Sequence, residues 1–441
     1  MTGSTSKRAA VEMALSLIED PAGQGPAAFT RIYPESARQA ADAVDEMVRL
    51  GLETPPLAGV VVSVKDLFDV RGEVTLAGSK ILATQAPAAC DAEVVRRLRQ
   101  AGAAIIGKTN MTEFAFSGLG LNPHYGTPLN AWDRENQRIP GGSSSGAAVS
   151  VTDGMALIAI GTDTGGSCRI PAALNGLVGF KPSAYTVPKD GAFPLSYTYD
   201  SVGPIASTTE QCALAYAVLS NTRPRMEDLD AGQLVLGVVK NYVQEGLDDA
   251  VAASFDAALS RLADAGATVR EINIGALDEI ASLTLNGGIL GAQAYQIHRR
   301  RLQSGAGEFD PRVAARIRMG EAVSCSDYIE LQQKRSALAD RFDTEIYGYH
   351  AIVMPTVPVV APRISDLSDD QDYVRTNLLM LRNPSIANMM DMCSISLPCH
   401  RPGGAPVGLM LTCSNGSDWH LLSTARVVER VLNGENQERG R

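Results

Sequence analysis

The chain contains 441 residues, of which 45% are hydrophobic and 20% are charged, and its formal net charge is −10. This composition is ordinary for a soluble globular protein with a large core. The negative charge argues against nonspecific binding to nucleic acid or to anionic membranes, because both need basic protein surfaces.

The N-terminus and the cysteines give no sign of export. The first residues, MTGSTSKRAAVEMALSLIED, lack the basic and then apolar layout of a signal peptide. No apolar run approaches the ~18 residues that a membrane-spanning helix needs. Seven cysteines without a CxxC pair support neither a disulfide framework nor a zinc site. We therefore expect a cytoplasmic protein.

The beginning of the chain predicts helices followed by a strand. Apolar residues three and four apart predict helices over residues 9–18 and 34–50. The valine-rich run 57–66 predicts a buried strand that ends at Lys65.

Cap signals predict the helices that follow. Asp91 is expected to cap a helix that runs to Gln100, and Gly102 is expected to close it before the strand AAIIG. Ser207 and Glu210 have the spacing of a capping box ahead of the apolar letters ALAYAVL.

The second half of the chain alternates strand and helix patterns, and residues 275–345 are mainly helical. This alternation favours an α/β fold, in which helices cover a sheet on both faces. The other elements expected here are strands at 234–240, 267–274, 353–360, 395–398 and 407–412 and helices at 249–263 and 421–432.

The segment GAAIIGKT, residues 102–109, fits the P-loop pattern G-x-x-x-x-G-K-T letter for letter. A P-loop needs a strand before the first glycine and a helix after the lysine, so that helix N–H groups hold phosphates. Here a helix precedes Gly102 and a strand lies between the two glycines. We therefore interpret the segment as a helix end followed by a buried strand.

The segment GSSSG, residues 142–146, fits the nucleophile-elbow pattern centred on Ser144. An elbow needs a hydrophobic strand immediately upstream and a histidine partner. The upstream segment NAWDRENQRIPG is polar and turn-like, and no local signal marks any downstream histidine as a base. We therefore set the elbow interpretation aside.

A third interpretation joins Lys65, Ser143 and Ser167. The turn TGGS that ends at Ser167 follows the strand-like MALIAIG, so successive N–H groups can point to one place and form an oxyanion hole. Lys65 ends a buried strand, where desolvation penalises the ammonium form and lowers its pKa. A neutral lysine can act as a base through a bridging hydroxyl, which Ser143 can supply. Together they outline a base, a relay and a nucleophile without histidine.

These segments resemble the amidase signature family. The resemblance rests on VVSVKDLFDV, AGAAIIGKTNMTEFAFSG, PGGSSSGAA, GTDTGGSCRIPAALNGLVGFKPS, DSVGP and PVGLML, and it covers most of the chain. It implies one large α/β/α domain over residues 1–441, built on a mixed sheet covered by helices on both faces. N-terminal helices at residues 5–50 would pack on that core, and the signature core would span residues 57–210.

Carried over by motif, the resemblance implies a Ser–cis-Ser–Lys triad. Ser167 would be the nucleophile that forms the acyl-enzyme, Lys65 the general base, and Ser143 the cis-serine that relays protons. The oxyanion would be held by successive backbone N–H groups, those of Thr164, Gly165, Gly166 and Ser167.

The resemblance also assigns supporting positions. Ser144, Asp163 and Arg169 match family positions that we expect to support the two serine loops. Cys168 is a rival nucleophile beside Ser167, but a packed small side chain is the favoured interpretation. No metal and no cofactor is expected.

The resemblance implies an amidase that hydrolyses a small-molecule carboxamide to a carboxylate and ammonia or an amine. The expected partner is that amide, with no nucleic acid and no membrane, and a homodimer is left open. One alternative is the A subunit of a glutamine-dependent tRNA amidotransferase, and another is a catalytically silent binding scaffold.

Two observations weigh on these alternatives. The amidotransferase protein typically has an aspartate seven residues before the asparagine of D-x-x-T-x-x-A-N, whereas the matching LRNPSIAN has Leu381 there. This departure argues against glutamine as the substrate, and the intact Lys65, Ser143 and Ser167 argue against a silent scaffold.

The sequence offers several candidates for substrate binding. Phe114, Phe116 and Tyr125 lie near the matched motifs and are candidates for an acyl pocket. An arginine such as Arg169 or Arg382 is a candidate for binding a substrate carboxylate.

Overall fold

Strands from the whole length of the chain form one mixed sheet. The computed structural model describes residues 6–434, and eleven strands lie in this range: β1 (Phe29–Ile32), β2 (Val61–Lys65), β3 (Ala104–Thr109), β4 (Ile158–Asp163), β5 (Val178–Lys181), β6 (Ser201–Ala206), β7 (Val235–Val239), β8 (Thr268–Ile272), β9 (Ala351–Pro355), β10 (Cys393–Pro398) and β11 (Gly408–Cys413).

The strands hydrogen-bond in the order β1-β3-β2-β4-β6-β5-β10-β11-β9-β7-β8. β2 runs parallel to β3 and β4, and β7 runs parallel to β8 and β9. The other neighbouring pairs are antiparallel. The predicted mixed sheet is therefore confirmed.

Helices lie in most of the connections between these strands, the β5–β6 and β10–β11 connections being the exceptions. The α-helices of the described range are α1 (Lys7–Glu19), α2 (Gly25–Ala28), α3 (Pro34–Arg49), α4 (Glu93–Gln100), α5 (Ser145–Thr152), α6 (Arg169–Leu174), α7 (Thr209–Ser220), α8 (Asp249–Asp264), α9 (Gly288–Gly305), α10 (Pro311–Met319), α11 (Cys325–Glu345), α12 (Asp370–Met389) and α13 (Asp418–Asn433).

Consecutive residues of β2 point into different layers of the core, since side chains alternate along a strand. Val61 packs in a cluster with Val11 of α1 and Ala41 of α3. Val62 belongs to a separate cluster that contains Leu98 of α4. Helices thus cover both faces of the sheet at this point, in agreement with the predicted α/β/α architecture.

The parallel pairing of β2 with β4 positions the two ends that carry the motif residues. Val62 pairs with Ile158 and Val64 with Ile160, so both strands end at the same edge of the sheet. Lys65 is the last residue of β2 and Asp163 is the last residue of β4.

Most of the predicted elements are present, with shifts of a few residues at their ends. The strand predicted from residue 57 begins at Val61, because residues 57–60 form a turn that is closed by a Val60 N–H bond to the Leu57 carbonyl. The strand–helix–strand unit is confirmed as β7, α8 and β8, with parallel strands.

The two predicted helix caps are wrong in detail. Ala92, not Asp91, precedes the first residue of α4, and the Asp91 carboxylate instead accepts the Arg71 N–H at 2.9 Å. At α7 the cap is Thr208 rather than Ser207, and its hydroxyl accepts the Gln211 N–H at 3.2 Å.

The lysine of the apparent P-loop has a structural role. Lys108 lies inside β3, and its ammonium is 2.8 Å from the Asp66 carboxylate, with both side chains 1% exposed. Thr30 donates a further hydrogen bond to Asp66 at 2.7 Å. The strand predicted at this segment is thus confirmed, and its lysine forms a buried ion pair with Asp66.

The longest of these helices, α11, has 21 residues and carries charged side chains along its length. Among residues 6–434, no helix combines the length and the apolar composition that crossing a membrane requires.

The buried Lys108–Asp66 pair predicts a large effect of single substitutions. Lys108→Met leaves an unpaired buried carboxylate, so we expect the free energy of unfolding to fall by about 3–5 kcal/mol in denaturant titrations. The double variant Asp66→Leu/Lys108→Met removes both charges and should lose less. Thermal stabilisation of the wild-type protein by ATP would contradict the structural role of this lysine.

Candidate active site

Lys65 is fully buried at the end of β2, and its ammonium nitrogen faces two hydroxyls. Lys65 Nζ is 2.7 Å from Ser143 Oγ and 3.0 Å from Thr162 Oγ1. Thr162 belongs to β4, the strand beside β2, so the sheet itself aligns this acceptor. No motif argument singled out Thr162, although it lies within the GTDTGGS segment.

Burial lowers the pKa of Lys65 to about 8, because the ammonium form is poorly solvated there. The nearby Cys168, Asp200 and Asp163 oppose this effect and raise the pKa of the lysine. The result is an amine that can give up its proton close to neutral pH, as a general base requires.

Ser143 lies in a glycine turn ahead of α5. The peptide bond between Gly142 and Ser143 is cis, as the resemblance implied. The Gly142 N–H donates to the Gly118 carbonyl at 2.8 Å, and the Ser143 carbonyl accepts the Thr112 N–H at 3.1 Å. These contacts hold the Ser143 hydroxyl over the lysine.

Ser144 joins the two serine loops. Its N–H donates to the Ser167 carbonyl at 3.3 Å, and its hydroxyl donates to the Thr162 carbonyl at 3.4 Å. The residue after Ser143 is therefore hydrogen-bonded directly to the segment that carries Ser167.

Asp163 and Arg169 form a fully buried ion pair below the second loop. Arg169 Nε and one terminal nitrogen donate to the two carboxylate oxygens at 3.0 and 2.8 Å. Asn388 of α12 completes the cluster, because its amide donates to Asp163 at 3.0 Å and accepts from Arg169 at 2.8 Å. Although burial opposes it, the Arg169 charge holds the pKa of Asp163 well below its usual range.

The 164–167 loop presents backbone donors and a free hydroxyl. Within residues 6–434, the Ser167 hydroxyl forms no hydrogen bond, and the N–H groups of Gly165 and Ser167 are also unused. Gly166 differs from the expectation, because its N–H already donates to Asp163 at 2.9 Å. Its φ of +120° is one that glycine tolerates, so this residue shapes the loop.

Asp200 was not singled out from the sequence, although it opens the DSVGP segment. Its carboxylate accepts the Thr164 hydroxyl at 2.6 Å and the N–H groups of Leu195 and Ser196 at 3.0 Å. Asp200 immediately precedes β6, whose pairing with β4 places it beside Thr164. It therefore fixes the first residue of the 164–167 loop.

A cavity of about 750 Å³ opens from this loop toward the surface. Thr164 and Gly165 line its inner end, and residues of α12 line one side. No histidine of the described chain lines this cavity. The volume lies in the range of sites that bind small molecules.

Only some of the predicted substrate-binding residues line the cavity. Phe116 lines the cavity, but Phe114 packs within a cluster of rings and Tyr125 is not part of the cavity wall. Arg382 lines the cavity, although its guanidinium donates to the carbonyls of Val243 and Glu245. Arg169 is wholly occupied by the Asp163 cluster.

Arg316 on α10 also faces the cavity and, like Arg382, forms no ion pair within residues 6–434. Its guanidinium carbon lies 4.3 Å from the centre of the Phe116 ring, and it donates to the Phe116 carbonyl at 2.6 Å. No carboxylate among residues 6–434 forms an ion pair with it. Burial lowers the pKa of Arg316 to about 10, so it remains charged at neutral pH.

Cys168 lies beside Ser167 but is packed away from the cavity. It is fully buried, and its thiol donates to the Gly203 carbonyl at 3.5 Å. Burial raises the pKa of the Cys168 thiol, which disfavours the reactive thiolate. This geometry agrees with a packed small side chain.

A comparison with known proteins decides the family. The sequence matches the Amidase family over residues 15–422. The chain belongs to the amidase family. Its relatives include enzymes named for the hydrolysis of C–N bonds, and this amidase is a hydrolase of that class.

Individual relatives show how far the likeness extends. The amidase is 36% identical to 2-amino-5-chloromuconic acid deaminase of Comamonas testosteroni, over 90% of the chain and 86% of that relative. It is 31% identical to the A subunit of the glutamyl-tRNA(Gln) amidotransferase of Sulfurisphaera tokodaii, over 88% of the chain and 89% of that relative. A crystal structure of an amidase, 32% identical, superposes with a TM-score of 0.87 and covers 96% of both chains.

Proposed function

We propose that this amidase hydrolyses a small carboxamide that carries a carboxylate, and that it does so through an acyl-enzyme on Ser167. The observation that supports this proposal best is the 2.7 Å contact between Lys65 Nζ and Ser143 Oγ, at a lysine whose pKa is lowered by burial. This contact supplies a base and a relay, and the neighbouring Ser144 N–H donates to the Ser167 carbonyl at 3.3 Å, which ties the relay to the loop of the proposed nucleophile.

The first step forms a bond between Ser167 Oγ and the amide carbonyl carbon. The Ser167 proton passes to Ser143 Oγ while the Ser143 proton passes to the neutral Lys65 amine, which becomes an ammonium. The carbonyl oxygen then carries the negative charge, and the free N–H groups of Gly165 and Ser167 stabilise it. Thr164, held by Asp200, sets the position of these donors.

The intermediate then collapses. The C–N bond breaks, the relay returns a proton from Lys65 through Ser143 to the leaving nitrogen, and ammonia or an amine departs. Water attacks the resulting ester in the same way, giving its proton to the relay, and Ser167 leaves with a proton as the carboxylate product forms. Water is the only co-substrate, and the amidase returns to its starting form.

In this proposal the guanidinium of Arg316 binds the carboxylate of the substrate. A guanidinium held against an aromatic ring, charged and without an acidic partner, is a site for an anion. The name of the Comamonas relative, 2-amino-5-chloromuconic acid deaminase, is that of an enzyme acting on an acid. Both observations favour an anionic amide over a neutral one.

The amidotransferase alternative is disfavoured by the cavity wall. Leu381 replaces the expected aspartate, and its Cδ2 atom would lie 3.5 Å from a Cβ placed on Gly165. An apolar side chain against the 164–167 loop offers no partner for the ammonium group of glutamine.

Ammonia release separates the hydrolase from its alternatives. We expect the purified amidase alone to release ammonia from a panel of aliphatic, aryl and dicarboxylic half-amides, and Ser167→Ala to lower kcat at least about 1,000-fold. Cys168→Ala serves as the control and should remain active. Activity only on glutamine and only with a partner protein would favour the amidotransferase, and an inert protein that no sulfonyl fluoride labels would favour the scaffold.

The lowered pKa of Lys65 predicts the direction of the pH profile. The base must be neutral, so kcat/KM should fall about tenfold per pH unit below a pKa near 8 as the lysine takes up a proton. Lys65→Ala should abolish acylation, measured by burst kinetics, while near-ultraviolet circular dichroism stays unchanged. Normal turnover in that variant would exclude the lysine base.

Asp200→Asn offers a check on the sign of this effect. Asp200 raises the pKa of Lys65, so loss of its charge should move the acidic limb to lower pH. Thr164→Val removes the hydrogen bond to Asp200 but keeps the charge, and it should lower kcat without moving the limb.

The anion site predicts a selective loss. Arg316→Met should lower kcat/KM for the half-amide succinamate about 10- to 100-fold, because a hydrogen-bonded charge pair is lost, and should leave the neutral butanamide nearly unchanged. Arg312→Met is the matched control, since Arg312 lies one turn away on α10 over the Tyr373 ring and outside the cavity. Equal losses on both amides would remove the anion from the proposal.

A further inference from the structure

We propose that the acyl part of the substrate carries an extended apolar group that lies along α12 and reaches Leu378. This inference rests on the proposed function, since it names the kind of amide that the same site accepts. It is carried by a different observation, namely the length and apolar character of the cavity beyond the 164–167 loop.

The inner end of this apolar region adjoins the 164–167 loop at Thr164 and Gly165. A Cβ placed on Gly165 would lie 3.5 Å from Leu381 Cδ2 and 3.8 Å from Ser385 Cβ. Helix α12 therefore passes directly beside the N–H groups proposed to hold the oxyanion. A chain attached to the amide carbonyl meets α12 as soon as it leaves the loop.

The walls beyond this point are apolar and come from separate parts of the chain. Leu378, Leu379 and Leu381 line the α12 side. The remaining apolar wall comes from the 3₁₀ segment 275–283 and from α9, α10 and the end of α12, through Ile280, Leu283, Leu290, Met319 and Met389. Polar residues such as Glu245, Thr284 and Arg382 also line the cavity, but apolar side chains predominate, as is usual in sites for small molecules.

The helix gives the length of this region. An α-helix rises 1.5 Å per residue, so Leu378 lies about 10 Å along the axis from Ser385. An extended chain advances about 1.2 Å per atom, which corresponds to about eight chain atoms over that distance. A short amide of four carbons would leave the Leu378 end of the wall uncovered.

The outer end of the region is also defined. Leu378 is 59% exposed, and one turn farther out the cavity is lined by Arg375, whose side chain is 77% exposed and paired with Asp372. Atoms of a chain that pass Leu378 enter water and a charged surface. Binding should therefore stop improving once the chain has passed this residue.

A homologous series measures the length directly. We expect kcat/KM for n-alkanamides from three to twelve carbons to rise about threefold to fourfold per methylene, as buried CH₂ groups are added, and to level off near eight carbons. Inhibition by n-alkylboronic acids, which form a tetrahedral adduct with a serine, should follow the same curve without requiring turnover.

Two variants on one helix locate the effect. Leu378→Asp should remove the gain for chains of seven or more carbons and leave acetamide and propanamide unchanged. Val374→Asp is the matched control, because Val374 is also a half-exposed aliphatic residue, one turn away, that does not line the cavity. Equal melting temperatures of both variants would show that the fold is intact.

The outcomes separate this inference from the function on which it rests. Hydrolysis with no dependence on chain length, or equal effects of Leu378→Asp and Val374→Asp, would show that the substrate carries no extended apolar group along α12. Neither result would contradict the proposed amidase mechanism. Failure of succinamate as well as every alkanamide to react, together with no boronate inhibition, would overturn the proposed function instead.

Discussion

The buried carboxylate of Asp163 is the interaction on which the rest of the site depends. It receives hydrogen bonds from two separate parts of the chain, from Gly166 and Arg169 in the segment that follows it and from Asn388 of α12. A charge without access to water is tolerable only while these partners remain, because removal of one leaves a large desolvation cost. The loop that carries Ser167 is thus held from below by the Asp163–Arg169 ion pair. The helix that follows the loop, α6, has only 6 residues.

The same charge acts on the lysine across the sheet. Desolvation lowers the pKa of Lys65, whereas the anions of Asp200 and Asp163 raise it, and the balance lies at about 8. Burial alone would favour the neutral amine more strongly, but a weaker base would accept the serine proton less readily. The arrangement that orders the 164–167 loop therefore also tunes the pKa of the lysine that we propose as the base.

The sequence could predict the parts of the site whose signals are local. Lys65 ends a valine-rich strand and Ser143 follows two glycines, so both positions could be inferred before their contact across 78 positions was visible. Arg316 could not be inferred, because helical periodicity does not indicate which distant residue a side chain meets, and its partner Phe116 is 200 positions away. The cap of α7 is Thr208 and not Ser207, because serine and threonine both cap helices and the geometry of the chain selects between the two neighbours.

Helix α12 has two faces with different duties. With 3.6 residues per turn, Asn377 and Asn388 fall on one face, where they bind the loop at Gly118 and the Asp163 cluster. Leu378 and Ser385 fall on the adjacent face, toward the cavity. The residues that support the loop and the residues that line the cavity are therefore separated by helical periodicity within a single helix. A single substitution on the second face can therefore reshape the cavity wall while the first face keeps the 164–167 loop in place.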